Sequence, residues 1–293
     1  MLAARMRFVQ YLLKGDLSKR LGFLAEDQKS LVELAGLTGV PNDLKTLIAQ
    51  NPNLEELAQK AEKQPRLEIT DDVTLLPPLT DPGKIICIGL NYQDHCDEQN
   101  KPAPKEPLFF SKFNNALAGP QDNVIAHLAS TKIDWEVELV AVIGKVAQHV
   151  PKEKAMDHIF GYTVAQDISA RDWQKERNGG QFLIGKSMDT FLPLGPAVVH
   201  KSLVPNVYDL SLKTWVNGVL KQDGNTGNLI FKLDDVIHRL SQTMTLLPGD
   251  IIVTGTPKGV GMHRSPPEFL KPGDVVESEI VGLGKLRNNI VAP

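Results

Sequence analysis

Asp134-Trp135-Glu136-Val137-Glu138-Leu139-Val140-Ala141-Val142-Ile143-Gly144 is the stretch that decides how this chain is read. Val137 to Ile143 is a near-continuous apolar run ended by glycine, the pattern of a strand buried on both faces. Glu136 and Glu138 sit at its entrance, two positions apart. On a strand, i and i+2 point to one face, with Cα atoms about 6.5–7 Å apart. Two carboxylates on one face beside an apolar run repel each other and resist burial. A cation resolves both problems, and hard oxygen ligands suit Mg²⁺, Mn²⁺ or Ca²⁺. The plainer alternative is a solvated strand edge that carries two acids.

The same texture recurs on either side. Lys84 to Gly89, Gly161 to Ala165 and Asp250 to Gly255 read as buried strands. Leu210 to Val216 alternates and runs into Asn217-Gly218, a strong hairpin signal. Val275 to Ile280 alternates after the turn Lys271-Pro272-Gly273-Asp274. Helices are short and scattered, over 152–159, 169–177 and 234–243. Many strands, few helices and no βαβ rhythm predict a β-rich domain. Upstream, residues 6–13 read as a strand, and 42–50 and 53–63 as helices. The second helix has apolar i, i+3, i+4, i+7 spacing, with Asn51 or Asn53 as its cap. The Pro-rich stretch Leu75 to Gly83 is the candidate linker. It divides the chain into a small N-terminal domain, 1–80, and a larger domain, 81–293.

The 293 residues are 42% hydrophobic and 23% charged, enough for a core that needs no disulfide or zinc staple. A net charge of −3 argues against a nucleic-acid binder and against a polyacidic disordered chain. The 23 glycines and 20 prolines, about 15% against an average near 12%, fit many turns. Cys87 and Cys96 form neither a disulfide framework nor a zinc pattern, which suits a reducing compartment. No apolar run approaches the roughly 18 residues of a membrane span. The start, with Arg5, Arg7 and Lys14 before Asp16, faintly resembles a mitochondrial presequence. The strand reading of Arg7 to Leu12 is preferred to it.

Further segments carry chemistry. Asp167 follows an apolar strand, either as the N-cap of a helix or as a third oxygen ligand. Arg171 and Gln174, three apart, would share a helix face and reach a substrate oxygen. Gly180 to Ser187 formally matches a phosphate loop, but Gln181-Phe182-Leu183-Ile184 is too bulky for a backbone cradle. Lys186 is then either a solvated surface lysine or a lone cation facing an enolate oxygen. Gly255-Thr256-Pro257-Lys258-Gly259-Val260-Gly261 follows a strand and allows close backbone approach to a ligand, with a plain hairpin loop as the alternative. His95 and Glu98, three apart, would pair on a helix, as a general base requires; a surface pair is the commoner arrangement.

Together these blocks resemble the fumarylacetoacetate hydrolase family. They are Ile88-Gly89-Leu90-Asn91-Tyr92 with His95, Asp134 to Glu138, Asp167 to Asp172, Gly185 to Thr190, and Thr254 to Pro257 with Gly259-Val260-Gly261, in the family order. The resemblance runs from about Lys84 to Val291. It implies an α+β fold, a β-rich mixed β-sandwich roll, with a small N-terminal α/β domain, and a homodimer. It implies metal ligands at Glu136, Glu138 and Asp167, usually holding Mg²⁺. Substrate contacts fall on Arg171, Gln174, Lys186, Gly255 and Thr256, and a lid pair on His95 and Glu98. Gln166 stands where the family often has Asn, and Phe110-Ser111-Lys112-Phe113 lacks the proline often found there, while keeping the cation.

The reaction implied is metal-assisted chemistry on a small 2-oxo acid that passes through an enolate, with Lys186 beside the developing charge. His95, polarised by Glu98, would move a proton or activate a water under a closing lid. Oxaloacetate keto–enol tautomerisation is the preferred outcome. Acylpyruvate-type C–C hydrolysis and oxaloacetate decarboxylation use nearly the same residues. A non-catalytic binding scaffold and a nucleotide-binding enzyme are the rivals from other classes. The expected compartment is intracellular, mitochondrial or cytoplasmic, with neither nucleic acid nor membrane as a partner.

Overall fold

The computed structural model describes residues 6–293. Two sheets dominate it. The larger has 12 strands. Its main path runs Arg66–Glu68, Ser30–Glu33, Asp16–Leu24, Arg7–Leu13, Leu192–His200, Ile159–Gln166, Val137–Ile143, Ile251–Val253, Ile85–Gly89 and Leu108–Ser111. The smaller has five, in the order Val219–Asn225, Ser211–Val216, Val275–Ile280, Gly284–Val291 and Val124–Ile125. This is the mixed, strand-rich α+β architecture expected. The strand Arg7–Leu13 pairs with Leu192–His200, so the N-terminal strands continue the large sheet. The presequence alternative turns in part on residues 1–5, which lie outside the described residues.

The strand Val137–Ile143 is buried along its whole length because both faces are covered. Leu139, Ala141 and Ile143 pack with Leu212, Ile280 and Leu286 of the smaller sheet. Val140 and Val142 pack on the other side with Phe8, Phe160 and Val198. An apolar run without alternation is the sequence of such a strand.

Local signals read correctly elsewhere. Asn217 (φ 51°) and Gly218 (φ 77°) make the turn between Ser211–Val216 and Val219–Asn225. Both sit in the left-handed region that a tight hairpin needs. Asn53 caps the helix Leu54–Ala61, its side chain accepting from the Glu55 and Glu56 backbone N–H groups. Two helix expectations are corrected. Residues Lys152–His158 form a 3-10 helix. The segment 169–177 is helical only over Arg171–Lys175, because Ser169–Ala170 pairs with Ile133–Asp134 as a strand. Backbone pairing across the chain outweighs local helix preference there.

Candidate active site

Three carboxylates meet where two strands end. Val137–Ile143 and Ile159–Gln166 are antiparallel, with Val137 opposite Gln166. One step beyond, the Asp167 N–H donates to the Glu136 carbonyl at 2.9 Å. That register brings together residues 31 positions apart in sequence, and i, i+2 geometry adds Glu138. Glu136, Glu138 and Asp167 each offer an oxygen, all within 4.8 Å of one another, and all three residues are buried. The N-cap alternative for Asp167 is overturned: the helix begins at Arg171, with Ala170 at its cap position.

Cations answer two of the three acids. Lys186 Nζ donates to Glu136 Oε2 at 2.6 Å and to Asp167 Oδ2 at 2.7 Å. Lys112 Nζ donates to Asp167 Oδ1 at 2.6 Å and to the Ile168 carbonyl at 3.1 Å. Arg171 Nε donates to Asp134 Oδ2 at 2.8 Å. Its Nη2 lies 2.7 Å from Glu136 Oε1, off the line of a hydrogen bond, so that contact is one of charge. Lys186 is buried, not solvated, which removes the surface-lysine alternative.

Glu138 differs from its neighbours. Among the described residues it has no cationic partner; its Oε2 accepts from the Gly255 N–H at 2.5 Å. Burial pushes its carboxyl well above the ordinary range, and Asp167 and Glu136 push the same way. Burial also pushes Glu136 up, but Arg171 and Lys186 outweigh it and hold that carboxyl below its usual value. For Lys186, burial works against the charge, yet Asp167 and Glu136 raise its affinity for the proton. The site therefore keeps one acid short of positive charge. Three clustered hard oxygens with that deficit fit a divalent cation.

Backbone close to the triad is positioned by the loop after Ile251–Val253. Thr254 N donates to the Leu139 carbonyl at 3.0 Å, and Thr256 Oγ1 donates to the Val137 carbonyl at 3.0 Å. Thr256 Oγ1 accepts from Gln222 Nε2 at 2.8 Å. Gly255 (φ 98°) is required: a Cβ there would lie 2.9 Å from Asn91 Cβ and 3.0 Å from the Ile88 carbonyl.

His95 and Glu98, the pair expected on a lid, lie on the short helix Gln93–Glu98. His95 Nδ1 stands 2.5 Å from Glu98 Oε1, and Glu98 Oε2 accepts from the Gly259 N–H at 2.9 Å. His95 Nε2 is 2.9 Å from the Gln99 side-chain nitrogen, a donor. These partners place a proton on Nδ1 facing Glu98 and leave Nε2 accepting from Gln99. His95, Glu136, Glu138, Arg171, Gln174, Lys186 and Thr256 line one narrow cavity of about 40 Å³. That is room for roughly three waters at about 10–15 Å³ each. Glu98, Asp167 and Gly255 stand behind the cavity wall and hold the residues that line it.

Several residues have supporting roles that their sequence positions do not show. Asp134 accepts from Arg171 and from the Trp135, Gly261 and Met262 N–H groups. It ties the E-x-E segment to the glycine loop. Gln166 Oε1 accepts from the Glu136 N–H at 2.7 Å, and its amide donates to Thr214 and Ser278. Lys112, a cation in the sequence, anchors Asp167 in the structure. Asp134 lies two positions before Glu136 and Gln166 directly before Asp167, and that closeness in sequence is the one signal pointing to them.

The fumarylacetoacetate hydrolase C-terminal domain model matches residues 84–291. A Xenopus laevis protein named oxaloacetate tautomerase fahd2, mitochondrial, is 43% identical over 291 residues, covering 99% of this chain and 91% of that one. The fumarylacetoacetate hydrolase of Exiguobacterium antarcticum superposes with a TM-score of 0.87 at 33% identity, over 98% of this chain and 100% of that one. The maleylpyruvate hydrolase of a Sphingobium species, solved with manganese(II) and pyruvate, gives 0.80 at 29% identity, over 98% and 99%. A domain match through the whole site, a relative aligned almost end to end and a common fold leave one assignment: the chain belongs to the fumarylacetoacetate hydrolase family.

Proposed function

We propose that this enzyme interconverts the enol and keto forms of oxaloacetate with Mg²⁺ held by Glu136, Glu138 and Asp167. The observation that carries the reading is one cavity lined both by carboxylates of the buried triad and by a histidine polarised by a glutamate. The X. laevis relative bears the same activity in its name. Its name also places it in mitochondria, which we propose for this chain too. A homodimer is proposed from the family resemblance, and sedimentation would test it.

When bound, a divalent ion supplies Lewis acidity toward the substrate's carboxylate and keto oxygens. The remaining roles fall to this chain's own groups. Lys186 keeps its proton and faces negative charge as it develops on the substrate. Thr256 and Gln174 hold substrate oxygens, while Arg171 fixes Gln174 through a 2.9 Å bond from Nη1 to Oε1. His95 carries the proton to or from carbon at Nε2, after Gln99 releases that atom, and Glu98 steadies the imidazolium through Nδ1. A nine-atom acid exceeds the present cavity, so the lid helix opens for entry and closes to exclude water.

Acylpyruvate-type C–C hydrolysis is the second reading, favoured by the likeness to maleylpyruvate hydrolase. The same histidine would then activate a water. Incubation with oxaloacetate, acetylpyruvate and fumarylacetoacetate, with and without Mg²⁺ and with products identified by NMR, separates the two. Enol loss without C–C cleavage supports tautomerisation.

A further inference from the structure

The cavity wall also carries a cation that the reaction above leaves unused. Lys175 ends the helix Arg171–Lys175, one residue after Gln174. It lines the same cavity as Glu136 and Glu138. Its ammonium lies 5.8 Å from the centroid of Phe182, another lining residue. Among the described residues, no carboxylate lies within ion-pairing distance of it.

Its electrostatic surroundings are lopsided. Burial is the largest influence on the Lys175 amine and lowers its proton affinity, although the residue as a whole is solvent-exposed. Lys101, Arg171 and Lys186 push the same way, and Glu136 alone opposes them. Together they bring the pKa down to about 8. Lys101 follows the lid helix, its N–H bonded to the Cys96 carbonyl at 3.0 Å, and it too has no acidic partner among the described residues. Two unpaired ammonium groups, one on the wall and one behind the lid, thus repel each other near the cavity. An anion between them would relieve that repulsion.

We propose that Lys175 is a specificity-determining residue that binds the distal carboxylate of a dicarboxylic 2-oxo acid, with Lys101 joining it as the lid closes. The proposal rests on the reading of the triad as the anchor for the 2-oxo acid end. One carboxylate is then taken at the triad and the other at Lys175, so a monocarboxylic 2-oxo acid loses the second contact. A lysine is a point charge on a flexible stem and suits a carboxylate whose position varies between substrates.

The test uses the full chain with Mg²⁺. Lys175→Gln should raise KM for enol-oxaloacetate about tenfold and leave kcat within about twofold. Inhibition by oxalate, which engages the triad and has no distal arm, should be unchanged. Lys175→Arg should restore most of the KM. An unchanged KM in Lys175→Gln, or an equal weakening of oxalate, overturns the proposal. If the wild-type protein turns over no oxaloacetate, the tautomerase reading falls, and calorimetry still decides the proposal. A selective tenfold loss of oxaloacetate affinity in Lys175→Gln, with oxalate unaffected, supports it; equal affinities overturn it.

Discussion

The Lys186 ammonium stands 2.7 Å from Asp167 Oδ2, inside the cluster where a divalent ion would bind. A lysine placed there neutralises the acids much as a metal would. A bound divalent ion would compete with it for the same oxygens and would leave its ammonium free to face substrate. Lys186→Met should leave Mg²⁺ affinity at least equal to wild type while turnover falls about 10²–10³-fold, the usual scale for a lost electrostatic stabiliser. Calorimetric Mg²⁺ titration beside the tautomerase rate checks both halves. A variant that no longer binds Mg²⁺ would show Lys186 to be an organiser of the ligands instead.

The lid pair makes a different prediction. His95→Ala removes the proposed proton carrier and leaves the three carboxylates in place, so kcat should fall about 10²–10⁴-fold. Mg²⁺ affinity and unfolding midpoint should stay near wild type. Glu98→Gln should fall between the two, because it keeps an oxygen for the Gly259 N–H but loses the charge that steadies His95. Equal rates in His95→Ala and wild type would remove the histidine from the mechanism.

Gly255→Ala tests how closely the loop must approach. Its φ of 98° disfavours any side chain, and the new methyl would press on Asn91 Cβ at 2.9 Å. Strain of this kind costs about 1–3 kcal/mol. The loop would shift and withdraw the Gly255 N–H from Glu138. Urea unfolding should register the stability loss, and weaker Mg²⁺ binding should accompany it.

His200 predicts an acid limb in stability. Burial, then Lys201, lowers its pKa to about 4. Its ring sits edge-on to Phe160, with centroids 5.3 Å apart. The unfolded chain takes up this proton near pH 6.5. Between pH 6.5 and about 4 the unfolded state thus binds more protons than the folded one. The contribution is fully present above pH 6.5 and is lost as pH falls toward 4. Unfolding midpoints at pH 7 and pH 5 should diverge less in His200→Gln than in wild type; an identical drop would exclude His200 as a source.

The part of the site that is local in sequence was legible in it. Glu136 and Glu138 announce themselves because period two puts both on one face of an apolar strand. Asn217-Gly218 announces its hairpin for the same kind of reason. What depends on pairing across the chain was not legible. Spacing alone leaves Lys186 open between a surface lysine and a cation in the site; the helix Leu183–Lys186 settles it by packing its ammonium against Glu136 and Asp167. Lys112 reaches Asp167 across 55 residues, and Gln222 reaches Thr256 across 34. Spacing within one segment cannot show such contacts; they follow from strand register and sheet order.

The most direct measurement is the decay of enol-oxaloacetate absorbance with purified protein and Mg²⁺, repeated after chelation and with Glu138→Ala. The triad account predicts fast decay with Mg²⁺, a return to the uncatalysed rate on chelation, and no recovery in Glu138→Ala at any Mg²⁺ concentration. Equal decay in wild type and Glu138→Ala would contradict it.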